Sequence, residues 1–170
     1  MKVCIVSDSH DRADALAEAL RAAKDQGAAA AIHCGDLIGA QTLRPAMALG
    51  LTVHLIHGNN VGDSLALHHL SRASGGLLHY HGADARVELG GRRLFVVHYP
   101  EYGHAMACTG DWDVVCCGHS HVAAVDRVAN VKGGTTWLVN PGTVAGLAAP
   151  ATWMLGDLER MSFEIRRLAA

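Results

Sequence analysis

Val3-Cys4-Ile5-Val6 is a continuous apolar run, mostly β-branched, with no polar alternation. A strand buried on both faces of a sheet reads this way. The period then changes. Over residues 12–26, Ala13, Leu16, Leu20 and Ala23 fall on one stripe, and Gly27 stands where a helix stops. Residues 29–34 repeat the buried-strand pattern. Residues 40–49 suit a helix that Pro45 limits or kinks, and 53–56 read as a third strand. Asp63 is placed to cap a short helix through Leu70. Strand and helix thus alternate, which predicts a layered α/β fold.

The second half is richer in strands. Residues 86–89 and 92–97, joined by Gly90-Gly91, read as a hairpin, and 102–108 suits a helix. Residues 114–117, 122–128 and 135–139 read as strands, and 152–155 with 162–168 as a last hairpin, where Phe163 and Ile165 alternate with polar residues. No linker, repeat or low-complexity tract interrupts the pattern. The chain has 170 residues, so a single domain over 1–170 is expected.

Composition narrows the functional classes. Lys and Arg number 14 against 16 Asp and Glu, a net charge of −2, so no basic excess serves a nucleic-acid backbone or a membrane surface. Aromatics make up 5%, too few for base-stacking platforms. No apolar run is long enough to span a bilayer, and the run after Met1-Lys2 is too short for a signal-peptide core. The five cysteines form no CxxC pattern; reduced buried thiols and a cytoplasmic location are the simplest expectation. Neither a P-loop nor a GxGxxG is present. Histidine is the outlier, with 12 residues, and directs attention to metal chemistry.

Candidate chemistry follows the strands. The first run leads into Asp8-Ser9-His10, the second into Gly35-Asp36, and the third into Gly58-Asn59-Asn60. The run before residue 98 delivers His98, and the run at 114–117 delivers Gly118-His119-Ser120-His121. Taken singly, Gly-Asp is a turn, Asp-x-His a turn with a helix cap, and Asn-Asn a loop. Together they place polar side chains at the C-terminal ends of five strands, the edge where open α/β sheets bind ligands. Asp8, His10, Asp36, Asn59, His98, His119 and His121 supply carboxylate, amide and imidazole donors. That mixture suits Mn, Fe, Co, Ni or Zn better than Ca or Mg. Seven donors exceed the needs of one ion and suffice for two that share a carboxylate. Gly35, Gly58 and Gly118 are expected in sharp turns.

The ordered set D-x-H, GD, GN, H, GHxH resembles the calcineurin-like metallophosphoesterase superfamily, over residues 8–121. Asn140-Pro141-Gly142-Thr143 extends the likeness, and the chain's size resembles the small single-domain phosphodiesterase branch. The resemblance implies an α-β-β-α fold, a layered β-sandwich flanked by helices. It implies phosphodiester hydrolysis by a hydroxide bridging two divalent ions, with Mn the first expectation. Asp8, His10 and His121 would hold one ion, Asn59, His98 and His119 the other, and Asp36 would bridge. Asp36, Asn59 and His98 are the expected catalytic residues, and Asn59, Asn60 and His104 the expected substrate contacts. The expected partner is a small phosphoester; a homo-oligomer is compatible with free sheet edges.

Two positions depart from the family pattern. Many larger members carry a histidine after the GN asparagine, where this chain has Asn60, which cannot protonate a leaving group at neutral pH. Small members often read HGH at the fourth motif, and this chain reads His98-Tyr99-Pro100. His104 is a candidate for the missing imidazole, against the plainer reading of a surface histidine. The remaining histidines, including His33, His54, His57, His68, His69, His79 and His81, read as strand or surface residues. A non-catalytic interaction scaffold on the same fold is the alternative function. Degenerate ligand positions would mark it, and all seven are filled.

Overall fold

The computed structural model describes residues 1–168. Two sheets face each other. The first contains β1 (Lys2–Val6), β2 (Ala28–His33), β3 (Thr52–Leu55) and β4 (Leu78–Tyr80), which run parallel. The hairpin of β10 (Thr152–Asp157) and β11 (Ser162–Arg167) pairs antiparallel on the other side of β1, so the order is β11-β10-β1-β2-β3-β4. The second sheet has the order β5-β6-β7-β9-β8. Its strands are β5 (Asp84–Leu89), β6 (Arg92–Val97), β7 (Val114–Cys116), β8 (Ala123–Ala129) and β9 (Thr135–Pro141).

Three apolar layers result. Val3, Ile5, Ile32, Ile56, Val87, Leu94, Val96, Val139 and Met154 pack between the sheets. Alternate residues of the first sheet, Cys4, Val6, Ala31, Val53 and Leu55, face the opposite way. They meet Leu16 and Leu20 of α1 (Ala13–Asp25), Ala46 of α2 (Arg44–Met47) and Leu67 of α3 (Ser64–Ala73). On the second sheet's outer face, Phe95, Val97 and Val115 pack with Ala107 of α4 (Pro100–Cys108). This is the expected α-β-β-α arrangement. Both faces of β1 are covered, which is why its sequence shows no alternation.

The differences from the pattern have local causes. In place of one helix over 40–49, a 3₁₀ turn (Ala40–Leu43) passes into α2, with Pro45 in the first turn, where its missing N–H costs nothing. β4 was not expected; it is three residues long and reads His-Tyr rather than as an apolar run. α4 begins at Pro100, two residues before the expected start at Tyr102. Asp63 caps α3 as expected, accepting from the Ala66 N–H at 2.8 Å. Cys4, Cys34, Cys116 and Cys117 are buried and unpaired, and Cys108 is half-buried. Burial pushes the thiols of Cys4, Cys34 and Cys117 up. Among the described residues, no helix is long and apolar enough to cross a membrane.

Met154 lies fully buried between the sheets. Met154→Ala is expected to cost about 2–5 kcal/mol of stability, read from urea unfolding. A cost below about 0.5 kcal/mol would mean that the inter-sheet layer does not depend on this side chain.

Candidate metal centre

Every predicted ligand leaves a strand at its C-terminal end. Asp8 and His10 follow β1, Asp36 follows β2 and Asn59 follows β3. His98 follows β6, and His119 and His121 follow β7. The loops are laced together by backbone hydrogen bonds: Asp8 N–H to Gly35 C=O and His10 N–H to Asp36 C=O, both 3.0 Å, and Gly118 N–H to His98 C=O at 2.9 Å. From the β9–β10 connection, Val144 N–H donates to Ser7 C=O, and the Thr143 hydroxyl to Asp8 C=O.

This lacing holds the backbone in costly conformations. Asp8, His10, Asp36, His119 and His121 have φ of 53°, 41°, 54°, 65° and 58°. Residues with a Cβ seldom occupy that region, and such outliers gather at functional sites. Gly35 has φ +105°, but Gly58 and Gly118 do not lie in the left-handed region. They are glycines because a Cβ at 58 would strike Asp36 Oδ1 and His98 Nε2, and a Cβ at 118 would strike Ser7 Oγ and Asp8 Oδ2. Backbone and ligand side chains pack there with no space for a methyl group.

Two donor groups converge. Asp8, His10 and His121 form one, and Asp8, Asp36 and His98 the other, each with ligand atoms within 4.8 Å of one another. Asp8 Oδ1 is 3.3 Å from His121 Nε2 and 3.9 Å from His10 Nε2. The Asp36 carboxylate lies between the groups: Oδ2 is 3.7 Å from His10 Nε2 and Oδ1 is 3.4 Å from His98 Nε2. Asn59 Oδ1 is 2.9 Å from His98 Nε2. The ring of His119 packs edge-on against His98 and Tyr99, with centroids 5.1 and 4.7 Å away, while the His119 backbone N–H donates to Asp8 Oδ2.

The polar accounting fits cations. His98 Nδ1 lies 2.8 Å from the Cys34 carbonyl and His121 Nδ1 2.8 Å from the Leu147 carbonyl. Each Nδ1 therefore carries the proton and donates, which leaves a lone pair on Nε2. For His98 that lone pair faces the oxygens of Asn59 and Asp36; for His121 it faces Asp8. Acceptors facing acceptors repel unless a positive charge lies between them. Asp8 Oδ1 and His10 Nε2 are buried with no hydrogen-bond partner, as is Ser7 Oγ. Burial by itself would raise the Asp36 carboxyl. Hydrogen bonds from the Asn60 side chain and backbone instead hold it below the usual carboxylate range.

Some residues have roles that the sequence pattern did not reveal. Asn60 turns to Asp36, donating from its backbone N–H to Oδ1 at 2.8 Å and from Nδ2 to Oδ2 at 2.6 Å. Its amide is engaged on a ligand, which departs from the expected substrate contact. His33, read as a plain strand residue, is fully buried beneath the site. Its Nδ1 accepts from the Gly35 N–H, and its Nε2 donates to Ser9 Oγ at 3.0 Å. Burial and the nearby His98 push its pKa down to about 3, so it stays neutral. Asn140 Nδ2 donates to the Gly118 carbonyl and to Ser120 Oγ, bracing the His119–His121 turn. His104 is exposed on α4 and has no hydrogen bond or ion pair with the seven ligands among the described residues.

A cleft of about 400 Å³ adjoins the cluster. Gly58 and His98 contribute to its wall, with Phe95, Tyr99, Tyr102 and Met106, and no Lys or Arg lines it.

Comparison with known proteins agrees with this geometry. Residues 1–161 match the family model of the calcineurin-like phosphoesterase superfamily domain. The chain is 26% identical over 154 residues to a phosphodiesterase of Methanocaldococcus jannaschii, with 86% of each chain covered. A solved archaeal phosphodiesterase has a TM-score of 0.88 at 24% identity, covering 99% of this chain and 100% of that one. Vps29 of Chaetomium thermophilum has a TM-score of 0.67 at 14% identity, covering 98% and 95%. At such identities the solved structures establish the fold, and membership rests on the family match. The chain belongs to the calcineurin-like phosphoesterase superfamily of hydrolases, and its Asp and His side chains at the strand ends form the candidate metal site.

Proposed function

We propose that this chain is a dinuclear metal-dependent phosphodiesterase acting on small organic phosphodiesters. The observation that carries the reading is the Asp36 carboxylate, with one oxygen toward the His10 group and the other toward the His98 group. Asp8, His10 and His121 would hold one ion, and Asn59, His98 and His119 the other, with Asp36 shared. Mixed oxygen and nitrogen donors favour Mn, and Fe, Zn, Ni or Co also suit them. When bound, the ions supply Lewis acidity toward phosphoryl oxygens and toward a water nucleophile.

The chain's own residues do the remaining work. Asn60 keeps Asp36 ionised and fixes its plane. The carbonyls of Cys34 and Leu147 fix the tautomers of His98 and His121. Asn59 turns its oxygen to His98, which leaves its NH₂ group to donate to a phosphoryl oxygen. The cleft beside His98 suits an uncharged, apolar or aromatic ester substituent. With no Lys or Arg on its wall, and with the Asp84 carboxylate there, it does not suit a second phosphate. This favours a diester, whose extra organic group needs such a place. The phosphodiesterase of Methanocaldococcus jannaschii supports the same reaction class.

Metal-stripped protein dialysed against Mn is expected to retain close to two ions per chain by elemental analysis. Folded protein with well under one ion would overturn the dinuclear reading. Asp36→Asn should lose turnover by orders of magnitude with its circular dichroism unchanged. Full ion content with no turnover of monoesters, diesters or cyclic nucleotides would favour the scaffold function instead.

Gly58→Ala probes the close packing at Asp36 and His98. The added methyl should weaken metal uptake by about 10–100-fold while the fold persists. Uptake equal to the unmodified protein would mean that the glycine is not required by the ligands.

Leaving groups supply a further test. Asn60 offers no imidazole, and general-acid help is worth about 10²–10⁴ in rate. An activated aryl diester should therefore be hydrolysed far faster than an alkyl diester. Asn60→His should narrow that ratio if its ring reaches the leaving oxygen. A flat dependence on leaving-group pKa, with chemistry rate-limiting, would reveal an acid already present, with His104 and the start of α4 at 99–102 the first places to look.

A further inference from the structure

The chain has more histidines than the centre uses. His54, His79 and His81 gather where β3 and β4 form one edge of the first sheet. Among the described residues, none of the three hydrogen-bonds to or stacks on a ligand of the centre. His54 lies directly opposite His79 in the β3–β4 ladder, and His81 follows two residues later. The two-residue period puts all three on one face of the sheet. Val53, Leu55 and Leu78 point the other way, into the core under the helices. On the histidine side, Ile32 of β2 registers with His54 and is buried between the sheets. The interior layer therefore runs out at β3, and imidazoles continue its row.

The rings lie close together. His54 Nδ1 and His81 Nε2 are 3.1 Å apart. His54 stacks on His79 and on His81, with centroids at 4.9 and 5.4 Å. We propose that His54, His79 and His81 form a second metal site, separate from the phosphoesterase centre, for a late first-row divalent ion of the Zn, Ni or Cu class. His54 and His81 already bring two nitrogens together, and His79, on the same face of β4, would supply the third donor once its ring turns toward them. With metal–nitrogen bonds of about 2.0–2.1 Å, nitrogens at the observed separation subtend roughly 100° at a shared ion. His79 is exposed, so its ring is free to turn its nitrogen inward. Three imidazoles without a carboxylate select late, borderline ions over Mg, Ca and Mn.

The rings are also in the right protonation state. Burial and the neighbouring imidazoles push His54 down to about 4, and burial and His79 lower His81. Both shifts favour the uncharged rings of His54 and His81, the form that coordinates a metal. On binding, the ring that donates the His54–His81 hydrogen bond shifts its proton to its other nitrogen, so no net proton is released. The ion would clasp β4, a three-residue edge strand, to β3.

The test compares metal-stripped wild type with the triple variant His54→Gln, His79→Gln, His81→Gln. Both are saturated with Zn, desalted and analysed for total ions. The variant should hold one ion fewer per chain. After loading with Mn, its turnover of an aryl diester should stay within about twofold of wild type. Because the difference is the readout, the result does not depend on how many ions the phosphoesterase centre retains. His79→Gln alone changes only an exposed side chain and should weaken uptake of the extra Zn by about tenfold or more. Equal ion counts in wild type and triple variant would overturn the proposal. So would a His79→Gln protein that takes up Zn as wild type does, since the third donor would then be absent.

Discussion

The hydrogen bond from His98 Nδ1 to the Cys34 carbonyl joins the two sheets at the place where the chemistry gathers. Cys34 follows β2 in the first sheet, and His98 follows β6 in the second. The bond sets the separation of the strand ends, the tautomer of His98 and the direction of its lone pair. Asp36, two residues beyond Cys34, meets that lone pair because the bond fixes both partners. Gly58 must lack a side chain because the space between them is already filled.

The centre shows the tension of assembling acceptors. Five of the seven donor residues have positive φ, each costing about 1–3 kcal/mol. Their lone pairs face one another, and buried oxygen and nitrogen atoms lack partners. The surrounding packing has to hold such an arrangement in place. The layers on both faces of β1 and the loop lacing from Gly35, Asp36, Thr143 and Val144 supply it.

The strand ends were legible because buried parallel strands read as unbroken apolar runs, so the first polar residues after them mark one edge of the sheet. Asp8, His10, Asp36, Asn59, His98 and the His119–His121 turn could be placed on that edge from the sequence alone. Asn60 could not be read correctly, since only the fold of its loop brings its amide to Asp36 rather than toward open space. Gly58 and Gly118 looked like turn glycines because sequence records a missing side chain but not the atom occupying its place. β4 escaped notice because a half-covered edge strand needs no apolar run. The grouping of His54 with His79 and His81 depends on a cross-strand register that no local spacing encodes.

The position of β1 bears on how the chain folds as it is made. β1 is made before the other strands of the two sheets, yet one of its two neighbours is β10, and the carbonyl of Asp8 is capped by Thr143, 135 residues later. Until those residues leave the ribosome, β1 has β2 on one side and an open hydrogen-bonding edge on the other. Contacts between such distant residues form slowly, and unpaired edges invite association with other chains. The loop bearing Asp8 and His10 is therefore completed late, and a chain truncated before β10 would carry all seven donor residues on an unfinished sheet.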